Sequence, residues 1–466
     1  MLARLDTGVT RQQRLVLSVA ILASLVAFLD GSVINVALPA ISRELGGGLV
    51  TQQWVVDAYL ITLGSLILLA GSLSDVFGRI VVLRVGLIGF GVTSVLIALS
   101  PNAEFLIVLR ALQGIAGALL VPSSLALIIS TFRDAAQAKA IGQWTAFTSA
   151  SFLAGPLLGG LFVDYLSWRY VFLINVLPIV AALIMLSLLG ERDVRARGVR
   201  VDYIGALLGA VGLGGPVFAL IEQSRLGWAS PVIIVSLIVG GLSLIGFIAW
   251  ERRVRDPMLP LSIFSNRNFS VGNVATFFIY GALSIGGFII VVFLQQVAGF
   301  PATIAALALL PISLGNIFLS SLFGSLSGRY GPRLFMTVGP LLAAAGFLVL
   351  LTATEQVNYF TNVLPGAVLI AVGLSATVAP LTAAILGSIP ATQAGIGSAT
   401  NNAVSRIAGL LTIALIGVIV TGELDVPGFH RVIILTAGLL IAGGVVSWIG
   451  IRNPQRSEQP VPADPA

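Results

Sequence analysis

Residues 15–39 read LVLSVAILASLVAFLDGSVINVALP, about 25 consecutive residues with a single charge, Asp30. A helix of roughly 20 apolar residues crosses the hydrocarbon core of a bilayer, so this run reads as a membrane-spanning helix. Arg4, Arg11 and Arg14 precede it, as basic residues precede a secretory leader. The run is too long for the apolar part of a leader and it carries an acid, so it is expected to stay as the first helix.

The same signal recurs to the end of the chain. Of 466 residues, 57% are hydrophobic and only 9% are charged, whereas soluble domains carry near 25% charge. The 52 glycines suit close helix packing in lipid. The short alternating segments of a membrane β-barrel are not seen. The fold class expected is an all-α integral membrane protein. Breaks rich in Arg, Pro, Asn and Gly divide the chain into helices near 15–39, 49–71, 80–100, 104–130, 137–163, 170–190, 202–222, 231–250, 269–294, 302–325, 333–353, 360–385, 393–420 and 430–451.

Loop charges test that division, because basic residues concentrate on the cytoplasmic side. With the N-terminus inside, nineteen of the 25 Lys and Arg residues fall in cytoplasmic segments. Four fall outside (Arg43, Arg169, Arg225, Arg431), and Arg110 and Arg406 lie within helices. A missed or invented helix would scramble this asymmetry in every later loop. Both termini are expected in the cytoplasm.

The chain also repeats itself. GSLSDVFGR at 71–79 returns as GSLSGRYGP at 324–332, each after the second helix of a six-helix block. The expected architecture is therefore six helices (1–200), two extra helices (201–252), six more (253–452) and a polar, Pro-rich tail (453–466), expected to be disordered and cytoplasmic. Transporters that rock two halves about a central site are built on such repeats.

Several functions are excluded. Net charge is +6 with a pI near 10.1, but the basic residues sit in short loops between apolar runs, so nucleic acid is not the partner. With no cysteines, disulfides, thiolate metal sites and iron–sulfur clusters are ruled out. The single His430 reads as a solvated loop residue. The only lysine, Lys139, lies in no phosphate-binding glycine loop, and no hydrolase motif is present. No enzyme, cofactor or metal is expected. The Arg192–Arg200 cluster reads as a topology anchor that can also touch anionic lipid heads.

The motifs now carry a resemblance. In the first helix, Leu29-Asp30-Gly31-Ser32-Val33-Ile34-Asn35-Val36-Ala37-Leu38-Pro39 resembles the signature of the fourteen-helix drug:proton antiporter branch of the major facilitator superfamily, with Ser32 where Thr is usual. Gly71 to Leu83, including Asp75, Gly78 and Arg79, resembles the superfamily's gating loop, though Val76 and Ile80 stand at two of its basic positions. Leu109 to Gly114 resembles the motif linked to proton transfer. Gly155-Pro156-Leu157-Leu158-Gly159-Gly160 resembles the antiporter motif, with Ser151 upstream where Gly is usual. Trp168 to Asn175 is similar to the same branch. The resemblance spans nearly the whole chain. It implies a monomer that exports small hydrophobic or cationic compounds in exchange for protons, by alternating access, from the plasma membrane. Export of an endogenous lipid or secondary metabolite is the alternative, and a non-transporting scaffold a third reading, which the motif set disfavours.

A physical reading runs beside this. Asp30 lies about nine residues from the outer end of its helix, Asp57 about eight and Arg110 about six, so all three share a depth of roughly 9–13 Å. A bare charge there costs several kcal/mol, and such groups normally face the bundle interior and pair. Asp30 is expected to pair with Arg110 or to exchange protons beside it. A dry site favours the neutral carboxyl group, a guanidinium opposes that, and Arg keeps its own proton. A static ion pair is the alternative. The resemblance makes Asp57 a feature of exporters of cations, and an interfacial carboxylate touching water is the other reading. Asp75 is expected to cap a helix or meet a basic residue of the other half, and a solvated loop pair of Asp75 and Arg79 is the other reading. Gly155, Gly159 and Gly160, with Pro156 bending the helix, are expected to form a tight interface between halves. Phe28, Asn35, Tyr59, Gln113, Trp144, Phe147, Phe278, Phe288 and Arg406 are candidates to line an adaptable substrate cavity. Asn401 and Asn402 either face that cavity or hold the bundle together.

Overall fold

Residues 10–189, 201–390, 393–420 and 422–453 of the computed structural model are described; the Arg192–Arg200 cluster and the tail beyond Asn453 lie outside them. Among the described residues, fourteen apolar helices are long enough to cross a membrane. They are α1 (Arg11–Leu45), α2 (Gly48–Phe77), α3 (Arg79–Ala98), α4 (Ala103–Thr131), α5 (Lys139–Tyr165), α6 (Tyr170–Ser187), α7 (Tyr203–Leu226), α8 (Pro231–Glu251), α9 (Arg267–Gln296), α10 (Ala302–Tyr330), α11 (Pro332–Thr352), α12 (Tyr359–Leu386), α13 (Gly395–Ile419) and α14 (Val426–Gly450). With fourteen crossings, the described chain begins and finishes at one end of the bundle, called here the terminal end; the opposite end is the distal end.

Local chemistry explains the boundaries. Thr10 and Gln13 form a reciprocal capping box ahead of α1, and side chains of Asn102, Asp202, Asn266 and Asp425 accept the orphan amides of α4, α7, α9 and α14. Between α2 and α3, Gly78 has φ 102°, and its counterpart in the sequence repeat, Gly331 between α10 and α11, has φ 88°. Both turns need a backbone that a side chain disfavours, which explains why this glycine is kept in both copies. Several helices outrun the sequence reading. α1 continues through Pro39 to Leu45, since membrane helices tolerate an interior proline, and Arg43 Nε donates to the Pro39 carbonyl one turn back at 3.3 Å.

The duplication extends to packing. α1 packs on α5 and α6, α2 on α4, and α3 on α4 and α6. The second set repeats every one of these pairings eight helices later: α9 on α13 and α14, α10 on α12, α11 on α12 and α14. The two sets meet through the matching pairs α2–α13 and α10–α5. α7 and α8 pair with each other, and α7 leans on α2 and α13. The largest apolar core runs from residues of the first set such as Val33, Leu38 and Phe172 into the second set, where Phe293 and Phe429 stack at 3.9 Å. His430 corrects the loop reading: it lies in the first turns of α14, half-buried, its Nε2 2.9 Å from the Ala353 carbonyl oxygen. Asn401 joins the second set internally, donating to Asn273 Oδ1 and Thr276 Oγ1 at 3.3 and 2.8 Å.

Candidate functional site

Halfway along α1, Asp30 is 1% exposed. Its Oδ2 meets Arg110 Nη1 of α4 at 2.6 Å. Its Oδ1 accepts from Gln113 Nε2 at 3.3 Å and Asn175 Nδ2 at 3.1 Å. Arg110, equally buried, spends its other donors on the Val55 carbonyl at 2.8 Å and on Gln113 Oε1 at 2.8 Å. Gln113 is held in turn by Ser94 Oγ at 2.9 Å. The guanidinium carbon stands 4.3 Å from the centroid of the Tyr59 ring and 5.8 Å from that of Phe172. Five helices thus converge on one carboxyl group, and the aromatic faces shield the cation where water is excluded.

The pairing of Asp30 with Arg110 is as expected from depth, and the other partners follow from local structure. Gln113 is one turn from Arg110 on the same face of α4. Asn175 reaches Asp30 because α6 breaks at Ile174–Asn175, between Tyr170–Leu173 and Val176–Ser187. Sequence reading places Tyr59 and Gln113 in a cavity wall; they are fully packed parts of this network instead.

Asp57 does not join the cluster and does not touch water. It is 0% exposed, and neither carboxylate oxygen has a hydrogen-bond partner. The reading of an interfacial carboxylate is therefore wrong: depth along α2 measures distance to the membrane surface, whereas α4, α7 and α13 cover that helix from the sides. One turn away, Gln53 donates to the carbonyls of Ile413 and Ala414 on α13, so the α2 face bearing Gln53 and Asp57 abuts the other half.

The remaining candidates divide. Arg406 lies on α13 with its guanidinium carbon 6.0 Å from the centroid of the Phe28 ring, and its Nε has no partner. Asn35 is half-buried on α1, Trp144 donates to Ser24 Oγ at 3.0 Å, and Phe147 is exposed on α5. Phe288 is wholly buried in the apolar core, a packing residue and a correction to the cavity reading; Phe278 is half-buried, with its Cβ beside Gly443 of α14. Among the gating residues, Asp75 pairs with Arg79 one turn on at 3.5 Å, within its own half, and Arg79 also donates to the Ala126 carbonyl at 3.2 Å. The expected contact of Asp75 with the other half is not formed in this state. A Cβ at Gly71 would meet nothing within 4 Å.

The glycine motif of α5 splits by direction. A Cβ at Gly155 would lie 2.0 Å from Ser32 Oγ, and one at Gly159 2.7 Å from Val33 Cγ2, so both pack α5 on α1 of the same half. Only Gly160 meets the other half: its Cβ would lie 2.6 Å from Thr303 Cα and 2.9 Å from Thr303 N. Next to it, the Asp164 carboxylate accepts from Ala302 N at 2.9 Å and Thr303 N at 2.7 Å, satisfying the first amides of α10. Gln295 Nε2 donates to the Val36 carbonyl at 3.1 Å. These bonds between halves, like those of Gln53, gather at the distal end. At the terminal end α5 is mostly exposed over residues 139–150.

Asp164 escapes sequence reading, since a carboxylate near a helix end looks solvated. Its removal in Asp164→Ala strips the cap from α10 and is expected to weaken distal closure by about 1–3 kcal/mol. Because the chain has no cysteines, a single Asn35→Cys reporter reads this directly. Its labelling by an impermeant thiol reagent from the distal side should rise in Asp164→Ala; unchanged labelling would refute the latch.

The extra hairpin touches both halves at the same end. Glu222 of α7 accepts from Trp54 Nε1 of α2 at 2.8 Å and pairs with Arg225 at 2.9 Å. Beside it, Gln223 Nε2 donates to the Gly417 carbonyl of α13 at 2.9 Å.

Two duplicated six-helix sets, the first of which buries an acid–guanidinium pair, are the architecture of a secondary transporter, and comparison with known proteins agrees. The profile of the Major Facilitator Superfamily matches residues 20–413, and the chain belongs to that family. It is 34% identical to the puromycin resistance protein of Streptomyces alboniger, over 94% of this chain and 91% of that one. It is 32% identical to the tetracenomycin C resistance and export protein of Streptomyces glaucescens, over 87% and 76% of the two chains. The crystal structure of a peptide transporter, POT, in complex with sulfate has the same fold, with a TM-score of 0.68 at 16% identity and 94% coverage of both chains. The protein is a multi-pass membrane protein of this transporter family.

Proposed function

We propose that this protein is a proton-coupled antiporter that exports small lipophilic or cationic compounds across the plasma membrane. The observation that carries the reading is the buried network of Asp30, Arg110, Gln113 and Asn175. A proton arriving at Asp30 cancels its attraction for Arg110, leaving the guanidinium to Val55, Gln113 and the Tyr59 ring. The helices that meet there then lose the ion pair between α1 and α4. Proton loss restores it. A group whose charge decides the fit of helices is what exchange of a proton for a substrate requires.

Asp57 is the second place where positive charge must arrive, since an ionised carboxylate without any partner would be costly in a dry seam between halves. A proton or a cationic substrate answers equally well there. Arg406 and Phe28 lie between the halves and line the way for cargo together with Asn35, Trp144 and Phe147. The names of the two relatives support small antibiotic-like cargo, and the export named for one of them supports an endogenous secondary metabolite as the second reading.

The units of the cycle are residues 1–200 and 253–452, with 201–252 as the extra hairpin and both termini in the cytoplasm, where the loop charges put them. On that orientation the terminal end is the cytoplasmic end, and the state described here is open inward. Asp75 and Arg79 would then engage the other half when the inner end closes. The protein acts as a monomer.

Purified protein in liposomes, with an imposed pH gradient and a fluorescent cationic dye, tests this. Dye movement should follow the gradient and fall to background in Asp30→Asn. Movement that ignores the gradient, or survives that substitution, would overturn proton coupling. Asp57→Asn should depress transport of cationic dyes more than that of neutral ones if Asp57 receives the cargo.

A further inference from the structure

The extra hairpin carries a second buried acidic centre, remote from Asp30. Asp202 immediately precedes α7, and its Oδ1 accepts from Gly205 N at 2.8 Å and from Trp250 Nε1 at 2.8 Å. Glu251 ends α8, and its Oε2 accepts from Leu259 N at 2.9 Å. Each side chain is thus anchored through one carboxyl oxygen, and the two are 6% and 3% exposed. The second oxygens, Asp202 Oδ2 and Glu251 Oε1, have no donor at all. They converge over Gly205, where a methyl group would lie 2.5 Å from the first and 2.8 Å from the second. The two side chains stand within hydrogen-bonding reach of each other.

Carboxylate oxygens only accept, so two of them face each other stably only when one carries a proton. Among the described residues no cation takes that place. Among the described residues, Asp202 is the one charged group that acts on Glu251. Arg252, Arg253, Arg255, Asp256 and Tyr203 are exposed to solvent or lipid. The stretch of α2 packed alongside, residues 66–73, has no ionisable side chain. No third metal-ligating residue completes a cation site among the described residues.

We propose that Asp202 and Glu251 together bind one proton, making a proton-binding site at the terminal-end base of the extra hairpin, separate from the Asp30 network. The shared proton joins the start of α7 to the end of α8. Through the Leu259 amide it also fixes the linker that leads into the second half. Its loss leaves two buried negative charges face to face and loosens that joint. With the termini in the cytoplasm, as proposed above, the site answers to cytoplasmic pH.

Linkage supplies the test. Over the mildly acidic to neutral range the native protein holds a proton here that the unfolded chain has already released, so this site's contribution to stability falls as pH rises. In Glu251→Gln the new amide donates to Asp202 Oδ2 without a proton. Thermal unfolding of the purified full-length protein in detergent, followed across that range, should show a flatter pH dependence in Glu251→Gln than in wild type. The variant should be the more stable at alkaline pH. Asp202→Asn should flatten the curve likewise, and serves if the first variant fails to fold. Infrared spectra should lose one carboxylic-acid band in either variant. Curves that run parallel to wild type with an unchanged band would overturn the proposal. The same difference should persist in an Asp30→Asn background, so the result is independent of whether export is driven by protons.

Discussion

Arg110→Leu is expected to cost about 3–5 kcal/mol of stability and to abolish gradient-driven export. The reason is the company the guanidinium keeps. Its removal leaves Asp30 buried with only two amide donors, and the penalty for stranding one member of a buried pair is of that size. The carbonyl of Val55 and the Oε1 of Gln113 lose their donor in the same step. Arg110→Lys should be nearly as damaging, since one compact ammonium cannot serve Asp30, Gln113 and the α2 backbone together. The double substitution Asp30→Asn with Arg110→Leu separates structure from mechanism. It removes the stranded charge, so thermal stability should return towards wild type, while transport in liposomes stays at background. Recovery of proton-driven transport in the double variant would show that the pair is scaffolding only. Thermal unfolding and dye transport on the same preparations give both readings.

Gly160→Val should hold the transporter away from the state described here. The added Cβ meets backbone atoms of the opposite half, Thr303 Cα at 2.6 Å and N at 2.9 Å, with the Ala302 carbonyl carbon at 3.1 Å. Backbone cannot rotate aside as a side chain can, so distal closure is blocked while each half stays intact. The Asn35→Cys reporter should then label from the distal side as fast as a permanently open site, with export lost and thermal stability changed little. Gly155→Ala makes the informative contrast. Its Cβ meets Ser32 Oγ, a side chain of the same half that bonds the Leu29 and Ser151 carbonyls. That variant should lower stability and leave reporter labelling close to wild type. Equal labelling in the two variants would show that Gly160 has no special place at the seam.

The contrast between neighbours in one motif illustrates what can be read from a sequence here. Gly159 and Gly160 are adjacent, yet a helix turns by about 100° between them. One therefore meets α1 of its own half and the other meets α10. Nothing in a run of small residues records that rotation. Phe288 fails as a cavity residue for the same reason: on a helix apolar all round, an aromatic carries no sign of whether it faces lipid, core or cargo. Asp57 fails differently. Its distance from the helix end is legible in the sequence, but lateral cover by α4, α7 and α13 decides whether water reaches it. Asp164, Glu222, Asp202 and Glu251 look like ordinary helix-end acids until the packing reveals an amide, an indole or another carboxyl group against each.

The fourteen helices, their order as six, two and six, and the duplication behind it all follow from the linear pattern, beginning with the uninterrupted run around Asp30. Bilayer thickness dictates the length of an apolar segment, and a repeat at matching positions is visible in the order of residues alone. Depth is equally local, since rise per residue is constant, and so Asp30 and Arg110 can be matched by counting along their helices. Only the tertiary structure decided which face each helix turns inward, that Gln113 and Asn175 complete the Asp30 network, and that the halves are bonded at the distal end. Those facts depend on helix rotation and on a break in α6. They are set by the packing of side chains remote in the chain, which hydropathy does not encode.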